Sequence, residues 1–261
     1  MRRADETCKV ALVTGACSGI GLAFARRLSS LGYELVVVSQ REAPLTEVAT
    51  SLGSEHGVRV HPIVMDLARS EAAVELYAAT KALGVDVDIL VNNAGMLLEG
   101  PIVDADPSRA GALLLLHVVT PSLLATLFGK DLKAKQRGYV LFVSSISAWR
   151  DLPTIGYYGT SKKYVRAFAN VLRDELSHHG VGVTTVAPGA TATGFYDDKT
   201  RSLGEKTGVM VDPAFVADAA LEAMFAKRAE IVPGVGARVM AAAMAAAPGP
   251  LLRLATRLKG N

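Results

Sequence analysis

Val10-Ala11-Leu12-Val13-Thr14-Gly15-Ala16-Cys17-Ser18-Gly19-Ile20-Gly21 runs a short apolar segment straight into a glycine-rich loop, and the amphipathic stretch Ile20 to Leu31 follows. An apolar run of that length bounded by glycine reads as a buried strand, and the periodic stretch after it as a helix. The glycines let the backbone turn tightly and approach a pyrophosphate, which the free amides and dipole of a helix N-terminus attract. Gly15, Ser18, Gly19, Ile20 and Gly21 are thus the first candidate binding residues. The spacing G-x-x-x-G-x-G differs from the commoner G-x-G-x-x-G, but strand, loop and helix stand in the order that dinucleotide binding requires. A plain turn is the alternative reading.

The same alternation continues along the chain. Strands are expected at Val10 to Val13, Leu35 to Val38, Arg59 to Met65, Ile89 to Val91, Tyr139 to Val143, Val181 to Val186 and Glu230 to Val232. Helices are expected at Ile20 to Leu31, Leu45 to Leu52, Glu71 to Leu83, Arg109 to Lys135, Tyr157 to His179 and Pro213 to Ala226. Near-continuous apolar strands separated by helices imply a parallel sheet covered on both faces. The fold class is therefore α/β: a doubly wound, Rossmann-type domain with a predominantly parallel seven-stranded sheet. Pro121 should kink the fourth helix, because it lacks the amide proton of the backbone ladder. Gly180 fits a helix C-cap after His178 and His179.

The 261 residues are read as one dinucleotide-binding and catalytic domain, with a polar tail at 1–8 and a helical extension at 233–261. Half the residues are apolar and a fifth charged, which excludes disorder. No uninterrupted apolar run of about 18 residues argues for a membrane span, and Met1 to Lys9 lacks the apolar segment of a secretory signal. The expected location is cytoplasmic. A net charge of +3, spread along the chain, makes nucleic acid an unexpected partner. Cys8 and Cys17 are read as free thiols, and no metal site is expected.

The second strand ends Val38-Ser39-Gln40-Arg41, with no carboxylate to hold the ribose hydroxyls of NAD. Arg41 instead suits a 2′-phosphate, which favours NADP(H) and leaves NAD(H) open. A solvated arginine paired with Glu42 is the other reading.

Tyr158-Gly159-Thr160-Ser161-Lys162 near a helix start puts Tyr158 and Lys162 one turn apart on one face. Tyrosine ordinarily titrates near 10, and a neighbouring ammonium favours its phenolate, which brings proton exchange into reach at neutral pH. Val143-Ser144-Ser145 ends a strand, so Ser145 stands at the carboxyl edge of the sheet, where such folds bind ligands.

These segments together resemble the short-chain dehydrogenase/reductase family from about Lys9 to Val232. The resemblance rests on the glycine-rich loop, Asp66-Leu67, Asn92-Asn93-Ala94-Gly95, Ser145, Tyr158 with Lys162, and Pro188-Gly189. It implies that Tyr158 is a general acid/base, that Ser145 orients the substrate oxygen, and that Lys162 assists the tyrosine and holds the nicotinamide ribose. It also implies that Asp66 lies near adenine, that Asn92, Ala94 and Gly95 line the cofactor, and that Pro188, Gly189, Thr191 and Thr193 approach the nicotinamide and phosphates. Where the family carries an asparagine in the next helix, this chain has His117. That imidazole is read either as the holder of a water relaying protons from Lys162 or as a buried histidine that satisfies the kinked helix.

The expected reaction is reversible hydride transfer between nicotinamide and a carbonyl or secondary alcohol. The substrate pocket is expected from Met96-Leu97-Leu98, Trp149-Arg150-Asp151-Leu152 and Phe195 to Met210. Its apolar composition suits fatty acyl, steroid-like or cyclic substrates, with Arg150 as the alternative receiver of an acidic group. Asp197 to Gly208 reads as a mobile lid. Leu251 to Lys259 reads as a helix packed on the pocket or a partner subunit, or as a weak membrane-surface contact. The resemblance suggests a homodimer or homotetramer built on the helices from Arg109 and Tyr157. A non-catalytic NADP(H)-binding regulator, or an epimerase or dehydratase, is the rival reading.

Overall fold

The computed structural model describes residues 9–194 and 210–246. Seven parallel strands form one sheet in the order β3-β2-β1-β4-β5-β6-β7. They are β1 (Val10–Thr14), β2 (Glu34–Ser39), β3 (Val60–Val64), β4 (Ile89–Asn92), β5 (Gly138–Val143), β6 (Val181–Val186) and β7 (Glu230–Ile231). The order reverses between β1 and β4, which opens a crevice at the carboxyl ends of those two strands. Helices α1 (Gly19–Ser30), α2 (Glu42–His56), α3 (Ala72–Ala82), α4 (Pro107–Leu114), α5 (Thr120–Lys135), α6 (Gly156–Ser177), α7 (Pro213–Phe225) and α8 (Val235–Ala246) cover the two faces or flank the crevice.

The strands are apolar throughout because both faces are buried. Along β1, Ala11 and Val13 join a core with Phe24, Leu28, Leu45 and Met224, under α1, α2 and α7. Val10 and Leu12 point the other way, into a core with Leu76, Phe128, Leu132, Val165 and Leu172 under α3, α5 and α6. Edge strand β3 alternates partly buried and exposed residues, with Val64 about half exposed.

The expected helix from Arg109 to Lys135 is three pieces. A π turn, Leu115–Val119, separates α4 from α5, and the Thr120 amide donates to the Leu115 carbonyl, five residues back. Pro121 supplies the reason: it sits in the first turn of α5, where its missing N–H costs least, and the wide turn before it absorbs the interrupted ladder. The 107–135 stretch is long and apolar enough by composition alone to cross a membrane. Its inward residues Leu113, His117, Thr120, Leu124, Phe128 and Leu132 are buried in the protein, so it is a core element here.

At the amino edge of the sheet, Asp88 ties the start of β1 to the end of α5. Its buried carboxylate accepts from the Lys9 and Val10 amides at 2.7 and 3.3 Å and from Lys135 Nζ at 3.0 Å, with Arg137 at 3.6 Å. This clamp fixes the strand that carries the phosphate loop. Asp88→Ala leaves the two amides without their acceptor and removes one of the partners of Lys135, which keeps the Val87 carbonyl and Asp86, and should cost about 2 kcal/mol, roughly 4–8 °C in Tm for a chain of this size. Thermal unfolding by circular dichroism checks it; a change under 2 °C would show that the clamp is not needed.

Candidate active site

The glycine-rich loop turns at Gly15 and Gly19, both at positive φ (+68° and +56°), a region side chains rarely adopt. Gly21 is required by space: a Cβ there would lie 2.1 Å from the Gly15 carbonyl oxygen and 2.4 Å from Asn93 Nδ2. Asn93 holds the turn, donating through Nδ2 to the Thr14 carbonyl at 2.8 Å. In return the Thr14 hydroxyl accepts from the Asn93 and Ala94 amides at 3.0 and 3.1 Å and donates to the Val91 carbonyl at 3.2 Å. The ends of β1 and β4 are thereby stitched at the switch point, with the α1 N-terminus over the crevice.

Arg41, just past β2, bends back to this loop. Its guanidinium donates to Ser18 Oγ at 2.9 Å and Cys17 Sγ at 3.0 Å, and Cys17 meets Ser39 Oγ at 2.9 Å. Pairing with Glu42, the alternative considered above, is not where this side chain goes. The cation, two hydroxyls and no carboxylate form a cradle whose chemistry fits a phosphate. Asp66 caps its own turn by accepting from the Ala68 amide at 2.9 Å, at the exposed rim nearby.

Strand β5 delivers the catalytic candidates. Ser144 fixes α6 by donating its hydroxyl to the Lys162 carbonyl at 2.9 Å, while its amide donates to Val186 at 2.7 Å. Ser145 Oγ accepts from the Ser147 amide at 3.1 Å, opening a 3-10 turn over Ile146–Trp149. Tyr158 lies half-buried in the first turn of α6, and Lys162 Nζ sits 5.6 Å from the centre of its ring. Lys162 is buried and donates from Nζ to the Val143 carbonyl at 3.0 Å. Burial pushes its ammonium from 10.5 down to about 8.

A cleft of about 1330 Å³ spans these groups, large enough for a dinucleotide together with a substrate. It brings together Gly15, Ser18, Gly19, Ile20, Gly21, Arg41, Asp66, Ala94, Gly95, Ser145, Tyr158, Lys162, Pro188, Gly189, Thr191 and Thr193. Two expected site residues stand apart. Asn92 does not line the cleft; its neighbour Asn93 does, because alternation along β4 sends Asn92 to the same side as Leu90. Asn92 and His117 instead line a small cavity of about 10 Å³ beside Lys162, and Asn92 Oδ1 is buried there without a hydrogen-bond partner.

His117 is not available as a water holder through its ring. The Met96 amide donates to Nε2 at 2.9 Å, and Nδ1 pairs with Ser161 Oγ at 2.9 Å. Burial, then the charge of Lys162, hold the imidazole well below its ordinary pKa, so it is neutral. The geometry matches neither expected role as stated: the ring is taken up by the Met96 amide and Ser161, and not by a water or by the kinked helix.

The cleft also has an apolar lining of Met96, Leu97, Leu116, Leu152, Ile155 and, from α8, Met240 and Met244, with Glu99 among them. Expected wall residues Leu98, Trp149, Arg150 and Asp151 do not line it. Leu98 packs inward with Ala110 and Leu113, and Trp149 stacks on Arg166 at 4.5 Å. Arg41 and Lys162 are the only cations on the lining among the described residues. The lid at 197–208, most of the 195–210 wall and the tail at 251–259 lie outside the described residues. Helix α8 was missed as a cleft wall: its alanines signal helix but not position, and the approach of Ala237 Cβ to within 3.1 Å of a Cβ built at Gly189 places it.

Comparison with known proteins agrees with this geometry. The family model for short chain dehydrogenases matches residues 9–203. The chain belongs to the short-chain dehydrogenase/reductase family. It is an oxidoreductase acting on alcohol and ketone groups with NAD(P). An uncharacterized oxidoreductase of Staphylococcus saprophyticus is 31% identical over 83% of this chain and 91% of its own length. The NADPH complex of a short-chain dehydrogenase from Sphingobium yanoikuyae superposes with a TM-score of 0.80 at 26% identity, covering 90% of this chain and 92% of that one. A bulky-bulky ketone specific alcohol dehydrogenase from Comamonas testosteroni gives 0.77 at 25% identity, covering 97% and 92%.

The depressed Lys162 pKa has a consequence for stability. Below about pH 8 both folded and unfolded chains carry the proton, and the fold bears the full cost of the buried charge. Between about 8 and 10.5 only the unfolded chain holds it, so stability rises with pH, by on the order of 3 kcal/mol in all. Lys162→Met should therefore melt above the wild-type protein near pH 7, and the gap should narrow toward pH 10. A gap that does not change with pH would contradict the buried ammonium.

Proposed function

We propose that this protein reduces bulky, uncharged ketones with NADPH and oxidises the matching secondary alcohols with NADP, and that Ser145, Tyr158 and Lys162 carry out the chemistry. The observation that supports this most is the position of those three groups where the polar cradle of Arg41 and Ser18 gives way to the apolar wall of Leu97, Leu152, Ile155 and Met240. With the carbonyl at that junction, its substituents fall among apolar side chains. The lack of a cation in the substrate half among the described residues speaks for a neutral substrate over an acidic one, and Arg150 is not placed to receive a carboxylate. The ketone specificity in the Comamonas relative's name and the NADPH in the Sphingobium relative's structure favour the same reading.

Bound NADPH supplies the hydride. Tyr158 gives its proton to the developing alkoxide, and Ser145, whose oxygen accepts from the Ser147 amide, has its O–H to donate to the same oxygen. Lys162 stabilises the phenolate left on Tyr158, and its own pKa near neutrality lets it pass a proton on. The cavity beside it is the size of one water, and Asn92 Oδ1 is an acceptor for such a water. One sheet carries cofactor cradle and catalytic groups alike, which supports reading residues 1–261 as one dinucleotide-binding and catalytic unit.

Leu114, Leu123, Tyr164 and Val171 expose apolar surface on the outward faces of α4, α5 and α6. This favours the homodimer or homotetramer that the family resemblance suggests; light scattering after gel filtration should give a multiple of the chain mass, and a monomer would count against it.

NADPH oxidation against a ketone panel tests the catalytic reading. Bulky uncharged ketones should turn over and short anionic carbonyls should not, and Tyr158→Phe should lower kcat by about a hundredfold or more while leaving NADPH affinity intact. Arg41→Ala should weaken NADPH binding roughly tenfold or more with little change for NADH. Equal turnover by Tyr158→Phe, or an unchanged NADPH to NADH ratio in Arg41→Ala, would overturn the respective assignment.

A further inference from the structure

His117 touches neither cleft nor substrate space, yet its hydrogen bonds join two elements that do. On one side is the loop after β4, where the Met96 amide donates to Nε2. On the other is α6, where Ser161 stands between Tyr158 and Lys162 in sequence. The proton arrangement has one solution. Nε2 must be the bare nitrogen, since it accepts from Met96. Ser161 has a single O–H, and it goes to the Tyr158 carbonyl at 2.7 Å. The Ser161 oxygen therefore accepts from Nδ1–H of His117 at 2.9 Å. Three bonds run in series from the Met96 amide through imidazole and serine to the backbone of Tyr158.

Sterics tighten the bridge. A Cβ built at Gly95 would lie 2.9 Å from His117 Nε2, so the loop closes on the ring only because residue 95 is glycine. The ring also meets the Tyr158 ring edge to face, with centroids 5.8 Å apart and planes at 71°. The ring is held from the π turn, whose widened backbone carries residues 115–119. Tyr158 and Lys162 of α6 are the titratable groups facing the imidazole; the loop after β4 presents the Met96 amide and Gly95.

We propose that His117 is a positioning residue: as the neutral Nδ1–H tautomer it locks the loop after β4 to the first turns of α6, and so fixes the Tyr158 phenol relative to Lys162 and to the loop residues Gly95 and Met96 of the cleft. The proposal rests on Tyr158 being the acid/base. It differs from a relay, because the ring is spent on protein partners, and from mere core filling, because what it joins are the two walls of the reacting junction. A protonated ring has no lone pair for the Met96 amide, so the bridge needs neutral imidazole; burial and Lys162 keep it so.

The test uses His117→Leu, His117→Asn, Ser161→Ala and the His117→Leu/Ser161→Ala double variant, assayed as full-length enzyme with NADPH and a ketone the wild type reduces. His117→Leu and Ser161→Ala should each lower kcat roughly tenfold to a hundredfold, as a misplaced reacting group does, with NADPH affinity within about twofold of wild type. The double variant should be little worse than either single one, since both break the same chain. The limb of the kcat–pH profile that reports Tyr158 should move to higher pH in both, and His117→Asn, which keeps a donor and an acceptor, should recover part of the rate and of the profile. A residue that only supports the fold would lower Tm and leave that profile in place. If His117→Leu does not fold, Ser161→Ala decides: an unchanged kcat and profile there overturns the proposal, as do additive losses in the double variant. Tyr158→Phe run alongside separates the two readings, because wild-type activity in that variant would remove the acid/base assignment itself.

Discussion

An ammonium group held inside the protein is the constraint around which the rest of the site is built. Lys162 is almost wholly buried, no carboxylate pairs with it among the described residues, and its Nζ donates to a backbone carbonyl, that of Val143. Burying a cation this way costs stability, and one hydrogen bond offsets only part of it. The sheet itself holds the group in place. Val143 ends β5, Ser144 bonds the backbone of Lys162, and the Ser144 amide is taken up by β6. Helix α6 cannot move along the sheet edge without breaking these bonds, so Tyr158, one turn before Lys162, is fixed with it.

The cofactor side is rigid for a different reason. The switch point between β1 and β4 is closed by short polar side chains, Thr14 and Asn93, and by the lack of a side chain at Gly21. No large group is needed, because the binding surface is backbone: amides at the α1 N-terminus and glycines that let a phosphate come close. At the β2 end Arg41 reaches across to Ser18, and the proposed preference for NADP(H) rests on that cradle. The apolar lining, where the proposed substrate would sit, comes from the loops after β4 and β5 and from helix α8, and includes Met240 and Met244, a residue type whose flexible side chain fills irregular shapes.

The strands and the order of elements were legible because burial on both faces leaves a largely apolar run at the central strands. Boundaries differ by up to four residues, as at α2, which runs from Glu42 to His56 and not from Leu45 to Leu52, since its first and last turns are largely exposed and carry no apolar periodicity. The phosphate loop, Ser145, Tyr158 and Lys162 were legible because each lies within a short contiguous motif at a strand or helix end. What sequence did not reveal depends on contacts between distant segments. Asn93 was passed over for Asn92, though strand parity with Leu90 already pointed Asn92 inward. The π turn needed Pro121 to be read as a helix start and not as a kink within one helix. Ser161 gave no sign of its role, because its partner lies 44 residues away on another element. The α8 wall followed only once Gly189 and Ala237 were seen to touch.

Transfer of label from NADPH carrying deuterium at both C4 positions of the nicotinamide ring tests the central claim most directly. Reduction of a bulky ketone in ordinary water should place one deuterium on the carbinol carbon of the alcohol, with none lost to solvent and the hydroxyl proton drawn from the protein and water. Product without deuterium at that carbon, or label washed into water, would contradict direct hydride transfer at the Ser145–Tyr158–Lys162 junction.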